Sequence, residues 1–155
     1  MPSFYEELII TISSCVLLFV TFDDIQNYRI KNEHVLLLAV LYFIYVFITG
    51  TWGDVPYHLG IATLIFIVLL VCYNYGMLGG GDVKLLTVAF LWTGKDCALL
   101  FAIVMLAITG VHAGLVYLGL LRAQTVKGRQ RIPYAPAIAG ALVVVFVSGC
   151  LHGSM

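Results

Sequence analysis

Six apolar segments, separated by polar residues or by glycine and proline, restrict this chain to a helical membrane fold. They are residues 8–22, 34–48, 57–75, 83–93, 97–121 and 134–151. Hydrophobic residues make up 62% of the sequence and charged residues only 10%, whereas soluble domains carry roughly 25% charged residues. A span of the bilayer needs about 20 apolar residues. We therefore predict an all-α polytopic membrane protein, with about six transmembrane helices in a single domain over residues 1–155.

The basic residues predict how these spans are oriented. With six spans, seven of the eight fall on one side of the membrane: Arg29, Lys31, Lys84, Arg122, Lys127, Arg129 and Arg131. Only Lys95 falls on the other side. The positive-inside rule then predicts that the first side is cytoplasmic and that both termini lie outside. Five spans would spoil this asymmetry, although the fourth segment is short enough to be re-entrant instead of a full crossing.

Composition also limits the partners and cofactors of the protein. The formal net charge is zero, so we expect no nucleic-acid partner. The four cysteines lie far apart without a C-x-x-C pair, and we predict small buried hydrophobic residues, neither zinc ligands nor disulfides; they are Cys15, Cys72, Cys97 and Cys150. The histidines show no metal-ligand spacing. Acidic residues near the N-terminus, with no cleavage site after the first segment, predict that this segment stays in the mature protein.

Three aspartates emerge on the predicted cytoplasmic face. Asp23 and Asp24 follow the first apolar segment, and Asp82 follows the third. Since an odd number of crossings precedes each position, the carboxylates lie on the same side of the membrane. An ionisable residue near membrane depth is a functional hypothesis by default. A solvated interfacial loop would also explain Asp23 and Asp24. The odd number of crossings therefore makes a carboxylate pair possible without establishing it.

A glycine-rich segment leads directly into Asp82. Residues 76–84 read GMLGGGDVK, and glycine allows close backbone approach and conformations closed to other residues. Such a segment could hold the Asp82 carboxylate at a sharp turn beside a substrate. The alternative is a loop between two helices, in which Asp82 is the N-cap of the fourth helix and Lys84 extends to lipid headgroups.

Three motifs together resemble the type IV prepilin peptidases. Asp24-Ile25 followed by Ile30-Lys31-Asn32 resembles the family's first aspartate motif. Residues 79–84 resemble its Gly-x-Gly-Asp-x-Lys motif, and residues 132–138 are similar to the proline-bearing start of its last helix. The resemblance runs in order over about residues 21–140. Lys31 departs from it, because many members have proline there, and this leaves the chain between Ile30 and Asn32 less constrained.

The resemblance implies an aspartic endopeptidase that cleaves the leader of prepilin or pseudopilin precursors. Asp24 and Asp82 would be the catalytic pair, on the cytoplasmic side of the inner membrane, with no metal and no cofactor. Asp23 is the alternative to Asp24, but the match at Ile30 and Asn32 favours Asp24. Residues expected near the substrate are Gly79, Gly80, Gly81, Lys84 and Asn32.

The resemblance also bears on substrate and on the absence of a second activity. Larger members carry a cytoplasmic domain with paired Cys-x-x-Cys motifs and methylate the new N-terminus. This chain lacks both, so no methyltransferase activity is expected, and short members like it serve Flp-type pili. Two other functions remain open, a proton-coupled transporter using the same acids and a non-catalytic assembly factor. The oligomeric state is also open, because Gly110 and Gly114 suit either packing within the bundle or dimerisation.

Overall fold

The computed structural model describes residues 4–27, 30–119, 124–126, 129–131 and 134–152. Its long helices are α1 (Phe4–Asn27), α2 (Asn32–Thr49), α3 (Val55–Asn74), α4 (Gly80–Tyr117) and α5 (Ala135–Val147). A short antiparallel hairpin, β1 (Gln124–Val126) and β2 (Arg129–Arg131), lies between α4 and α5, and a 3₁₀ turn (Cys150–His152) follows α5. The hairpin was not expected from the sequence. It lies in the basic segment, where Arg122 and Lys127 are outside the described residues, as is Arg29 near the start of the chain.

The predicted all-α membrane architecture is confirmed, but the number of separate helices is not six. The fourth and fifth apolar segments run together in α4, which is broken at Gly94. Among the described residues, four helices, α1 to α4, are long and apolar enough to cross a membrane, whereas α5 has 13 residues. The structure therefore has six helical segments only when α4 is divided at its break.

Helix boundaries follow ordinary local chemistry. α2 ends at Gly50, whose φ of 72° suits glycine and whose N–H donates to the Val46 carbonyl at 2.9 Å. A residue in the left-handed conformation supplies an N–H to one of the carbonyls that lack a hydrogen-bond partner at a helix C-terminus. α3 and α5 each carry proline in the first turn, Pro56 and Pro136, where the missing N–H costs no helical hydrogen bond.

The packed core lies between α1, α2, α5 and the first half of α4. Trp92 is almost fully buried, and its Nε1–H donates to the Leu38 carbonyl at 3.0 Å. Its ring makes edge contacts with Tyr42 and Phe146, which joins α2, α4 and α5. α3 buries only Ala62 among its residues. The apolar faces that it leaves exposed are those expected of a helix in contact with lipid.

The break at Gly94 turns the chain back on itself. Gly94 has φ 54° and ψ −153°, and a Cβ there would overlap the ring of His58. His58 Nδ1 instead lies 2.9 Å from the Leu91 carbonyl, which a helix break leaves without its usual partner. The second half of α4 then runs back along α5. The two helices approach closely there, since a Cβ at Gly140 would lie 3.2 Å from Ile108. Glycine and His58 together make the reversal possible.

The prediction for the cysteines is wrong at two positions. Cys97 and Cys150 form a disulfide with their Cα atoms 6.0 Å apart, across a sequence separation of 53 residues. The reversal at Gly94 brings the second half of α4 alongside the end of α5, a juxtaposition that no local spacing reveals. Cys15 and Cys72 are free thiols, as predicted, but Cys15 is exposed and not buried.

Of the two interpretations of Gly110 and Gly114, packing within the bundle is not supported by the described residues. A Cβ at either position would meet nothing within 4 Å. Both glycines lie on the second half of α4, on a side away from the neighbouring helices. Their small size is therefore not required by the packing of this chain.

The two kinds of glycine in α4 give a stability prediction. Gly94→Ala should lower the free energy of unfolding by about 1–3 kcal/mol, because alanine at this φ is strained and its Cβ must displace His58. Gly110→Ala, in the same helix, meets open space and should leave stability unchanged or slightly raised. Thermal unfolding of the purified proteins in detergent measures both. Equal unfolding midpoints for the two variants would contradict the account of the break.

Candidate active site

Several helix ends meet at one end of the bundle, next to the end of α3. α1 ends there at Asn27, and α2, α4 and α5 begin there at Asn32, Gly80 and Ala135. We call this the aspartate end, because Asp24 and Asp82 both lie in it. The sequence motifs that were expected to form the site are thus brought to one place by segments far apart in the chain.

Asp24 lies in the last turn of α1 and is buried, with only 6% of its surface exposed. Its Oδ2 accepts a hydrogen bond from the backbone N–H of Ala135 at 3.3 Å. Ala135 is the first residue of α5, so the carboxylate sits at a helix N-terminus, where the helix dipole and unpaired N–H groups favour negative charge. The contact joins the first aspartate motif to the start of the last helix.

Asp23, the alternative catalytic residue, has different surroundings. Its Oδ2 lies 3.0 Å from Lys31 Nζ and 3.7 Å from His34 Nδ1. Asp23 is therefore paired with a basic side chain across the loop between α1 and α2. Adjacent aspartates on one helix thus have different partners, and Asp24 is the one that is hydrogen-bonded to α5.

The position of Lys31 resolves the departure from the family pattern. Lys31 is the N-cap of α2 with φ −73° and ψ 136°, which are angles that proline itself adopts. The backbone conformation expected for proline is thus kept by lysine. An ion pair with Asp23 links Lys31 to the end of α1. This side-chain contact restrains the loop in place of a proline ring.

Asp82 occupies the third position of α4 and is half-buried. Its Oδ2 accepts from the N–H of Gly79 at 3.3 Å. The N-cap is Gly79 and not Asp82, so the alternative interpretation of Asp82 as N-cap is wrong by three residues. The carboxylate still binds the first unpaired N–H of the helix, in the manner of the acidic residue in a capping box.

The glycines before Asp82 allow the two aspartate motifs to touch. A Cβ at Gly81 would lie 3.0 Å from the Cβ of Ile30, closer than nearly all real contacts of this kind. A Cβ at Gly80 would lie 3.5 Å from the ring of Tyr73, which is ordinary contact, and one at Gly79 would lie 2.8 Å from Asp82 Oδ2. A Cβ at position 81 would force Ile30 to shift by a few tenths of an ångström, so glycine favours the close approach of α4 to the loop after α1.

A second contact joins the same two motifs. Lys84 Nζ donates to Asn32 Oδ1 at 2.9 Å, across 52 residues of sequence. Asn32 is the first residue of α2 and its side chain serves this contact; the helix has no side-chain cap. Lys84 is therefore held by a neighbouring motif at the aspartate end.

The sequence did not reveal two features of this end of the bundle. The Ala135 N–H is a backbone group and carries no residue signature, and the partners of Asp23 were not foreseen although Lys31 and His34 lie nearby in sequence. Within the described ranges, no group of three or more His, Cys, Asp or Glu residues is arranged to hold a metal ion. Ile132 and Pro133, from the third motif, lie outside those ranges.

One family profile covers the two segments that carry Asp24 and Asp82. The profile of the type IV leader peptidase family matches residues 11–118, which is well over half of the chain and includes Asp24 and Asp82. The match stops before the residues of the third motif. No curated protein and no solved structure matches the chain. The extent of the family match is sufficient to assign the chain, which belongs to the type IV leader peptidase family.

Proposed function

We propose that Asp24 and Asp82 form the catalytic dyad of an aspartic endopeptidase that cleaves prepilin leaders at the cytoplasmic face of the membrane. Membership of the family makes the chain a peptidase with prepilins as substrates. The observation that carries the proposal is the convergence at the aspartate end: Asp24 binds the start of α5, and the segment after it touches the segment that bears Asp82.

The chemistry of such a dyad follows from its charges. Two neighbouring carboxylates cannot both ionise cheaply, so they share one proton. The ionised member takes a proton from water, which attacks the scissile carbonyl. The protonated member polarises that carbonyl and then protonates the leaving amine. The negative charge that the pair retains is favoured by two helix N-termini, those of α4 at Asp82 and of α5 at Asp24.

The distribution of charge supports a cytoplasmic position for the aspartate end. Lys31 and Lys84 lie at this end, whereas Lys95 follows the break at Gly94 and lies at the other. The positive-inside rule favours the first side as cytoplasmic. Six membrane segments with both termini outside result when α4 is divided at Gly94, because its second half returns along α5 to the aspartate end.

The proposed substrate is an Flp-type pilin precursor. Such a precursor has a basic leader, a cleavage site usually after glycine, and a hydrophobic helix with an early glutamate. The leader would remain in the cytoplasm while the apolar helix enters the membrane, which presents the intervening bond at the depth of Asp24 and Asp82. Lys84 lies within this region and is exposed, so it is available to the substrate glutamate.

Substitution of each aspartate by asparagine tests the proposed dyad. Asp24→Asn and Asp82→Asn should each reduce the rate of precursor processing by at least roughly 10²-fold, because either change removes a group that transfers protons. Asp23→Asn should retain processing within a few-fold, since Asp23 pairs with Lys31 and serves the loop. Co-expression with a candidate pilin precursor, read as a gel mobility shift at equal enzyme abundance, measures all three.

The three variants separate the competing functions. If Asp23→Asn abolishes processing and Asp24→Asn does not, the register of the first motif is wrong. Processing that survives in all three variants would remove the aspartic mechanism and reopen the transporter and assembly-factor alternatives.

The contact between Gly81 and Ile30 gives a second, steric prediction. Gly81→Ala should lower processing several-fold, because its Cβ would press on the stiff, branched Ile30 and push the loop after Asp24 away from α4. Gly80→Ala is the matched control and should process normally, since its Cβ would make only ordinary contact with Tyr73. Initial rates of cleavage of a purified precursor in detergent distinguish them, and equal rates for the two variants would refute the steric requirement.

A further inference from the structure

The disulfide between Cys97 and Cys150 lies at the end of the bundle opposite the aspartates. On α4, Cys97 follows Asp82 by about 15 residues, and Cys150 follows Ala135 by about the same number. At about 1.5 Å per residue, both cysteines are roughly 20 Å along their helices from the residues that form the aspartate end. We call this opposite region the disulfide end.

A cleft at the disulfide end brings polar side chains next to Cys97. Thr51, Asp54 and Asp96 line it together with the rings of Tyr42, Tyr45 and Trp92. Polar side chains of this kind at the end of a hydrophobic bundle mark the membrane surface. Thiol–disulfide exchange proceeds through a thiolate. This charged group can form at the membrane surface, whereas the apolar interior of the membrane disfavours it.

Redox conditions on the two sides of a cell membrane then fix which side this is. Disulfides persist outside the cytoplasm, where glutathione and thioredoxin do not reduce them. The disulfide end carries Lys95 alone among the described lysines, whereas the aspartate end carries Lys31 and Lys84. The distribution of lysines and the disulfide therefore both indicate that this end lies outside the cytoplasm, for separate physical reasons. Cys72, near the end of α3 on the aspartate side, is a free thiol.

We infer that Cys97 and Cys150 are oxidised outside the cytoplasm by a dithiol–disulfide exchange protein, and that the resulting bond holds α5 against Asp24. One cysteine thiolate attacks the partner's disulfide and forms a mixed disulfide. The other cysteine then displaces the partner. The two thiols lose two electrons and two protons, and the partner disulfide becomes a dithiol, so the exchange balances.

The burial of the two cysteines indicates which of them meets the exchange protein. Only 1% of the surface of Cys97 is exposed in the closed bundle, while Cys150 is half-buried. Cys150 is therefore the thiol that attacks the partner's disulfide. Cys97 then attacks Cys150 in the mixed disulfide and displaces the partner.

The disulfide also has a mechanical consequence for the site. α5 is a short helix of 13 residues, with its first N–H on Asp24 and the disulfide following its last turn. The bond fixes that far end to α4 just beyond the break at Gly94. Because the helix is a rigid connection, fixing its far end limits the movement of Ala135 away from Asp24.

The first experiment measures the redox state in cells. In a Cys15→Ser/Cys72→Ser background, acid-quenched cells are denatured and treated with a maleimide that adds mass to each thiol. We expect no adduct before reduction and two afterwards. In a strain lacking its extracytoplasmic thiol oxidase we expect two adducts without reduction. Free thiols in normal cells would overturn the inference, as would full oxidation in the oxidase-deficient strain.

The second experiment tests the consequence for α5. Cys97→Ala/Cys150→Ala in the same background should lower the thermal unfolding midpoint and reduce the processing rate several-fold at matched abundance. An unchanged midpoint and rate would overturn the proposed holding role. Asp24→Asn should remain fully oxidised, since oxidation does not depend on catalysis. A failure of the proposed dyad would therefore leave the redox result intact, and the two failures are distinguishable.

Discussion

The arrangement of this protein depends on the hydrogen bond from the first N–H of α5 to a buried carboxylate at the end of α1. A carboxylate as enclosed as Asp24 needs a partner, and the N-terminus of a helix supplies both an N–H and a favourable dipole. That requirement places the start of α5 beside the end of α1. Ala135 is 111 residues from Asp24 in sequence, so one contact joins the end of the first long helix to the start of the last.

Close approach is the second constraint, and glycine meets it in two opposite regions. At the aspartate end, Gly81 lets the start of α4 reach Ile30, which brings the segments bearing Asp24 and Asp82 together. At the disulfide end, Gly94 lets α4 reverse beside His58 and return along α5. In a membrane the apolar surroundings do not drive helices together, so packing of this kind has to supply the association. The buried Trp92 between these regions joins α2, α4 and α5.

Periodic and compositional features were predictable from the sequence, and long-range ones were not. Apolar length identified α1, α2 and α3 because a span is a local property, and the motifs around Asp24 and Asp82 identified the family. The boundary between the fourth and fifth apolar segments falls at the break in α4, although the sequence did not reveal that a glycine with positive φ makes this break. The disulfide was missed because 53 residues separate its cysteines, and the Ala135 N–H was missed because a backbone donor has no sequence signature.

Cross-linking tests whether Asp24 and Asp82 approach each other at the aspartate end, as the proposed dyad requires. Asp24→Cys/Asp82→Cys, in a background with Cys15→Ser and Cys72→Ser, would be treated in membranes with a short bis-maleimide and mapped by mass spectrometry. We expect a linked peptide pair joining positions 24 and 82, and a much lower yield of linked peptides for Asp23→Cys/Asp82→Cys. A link that forms from position 23 and not from position 24 would contradict the proposed dyad.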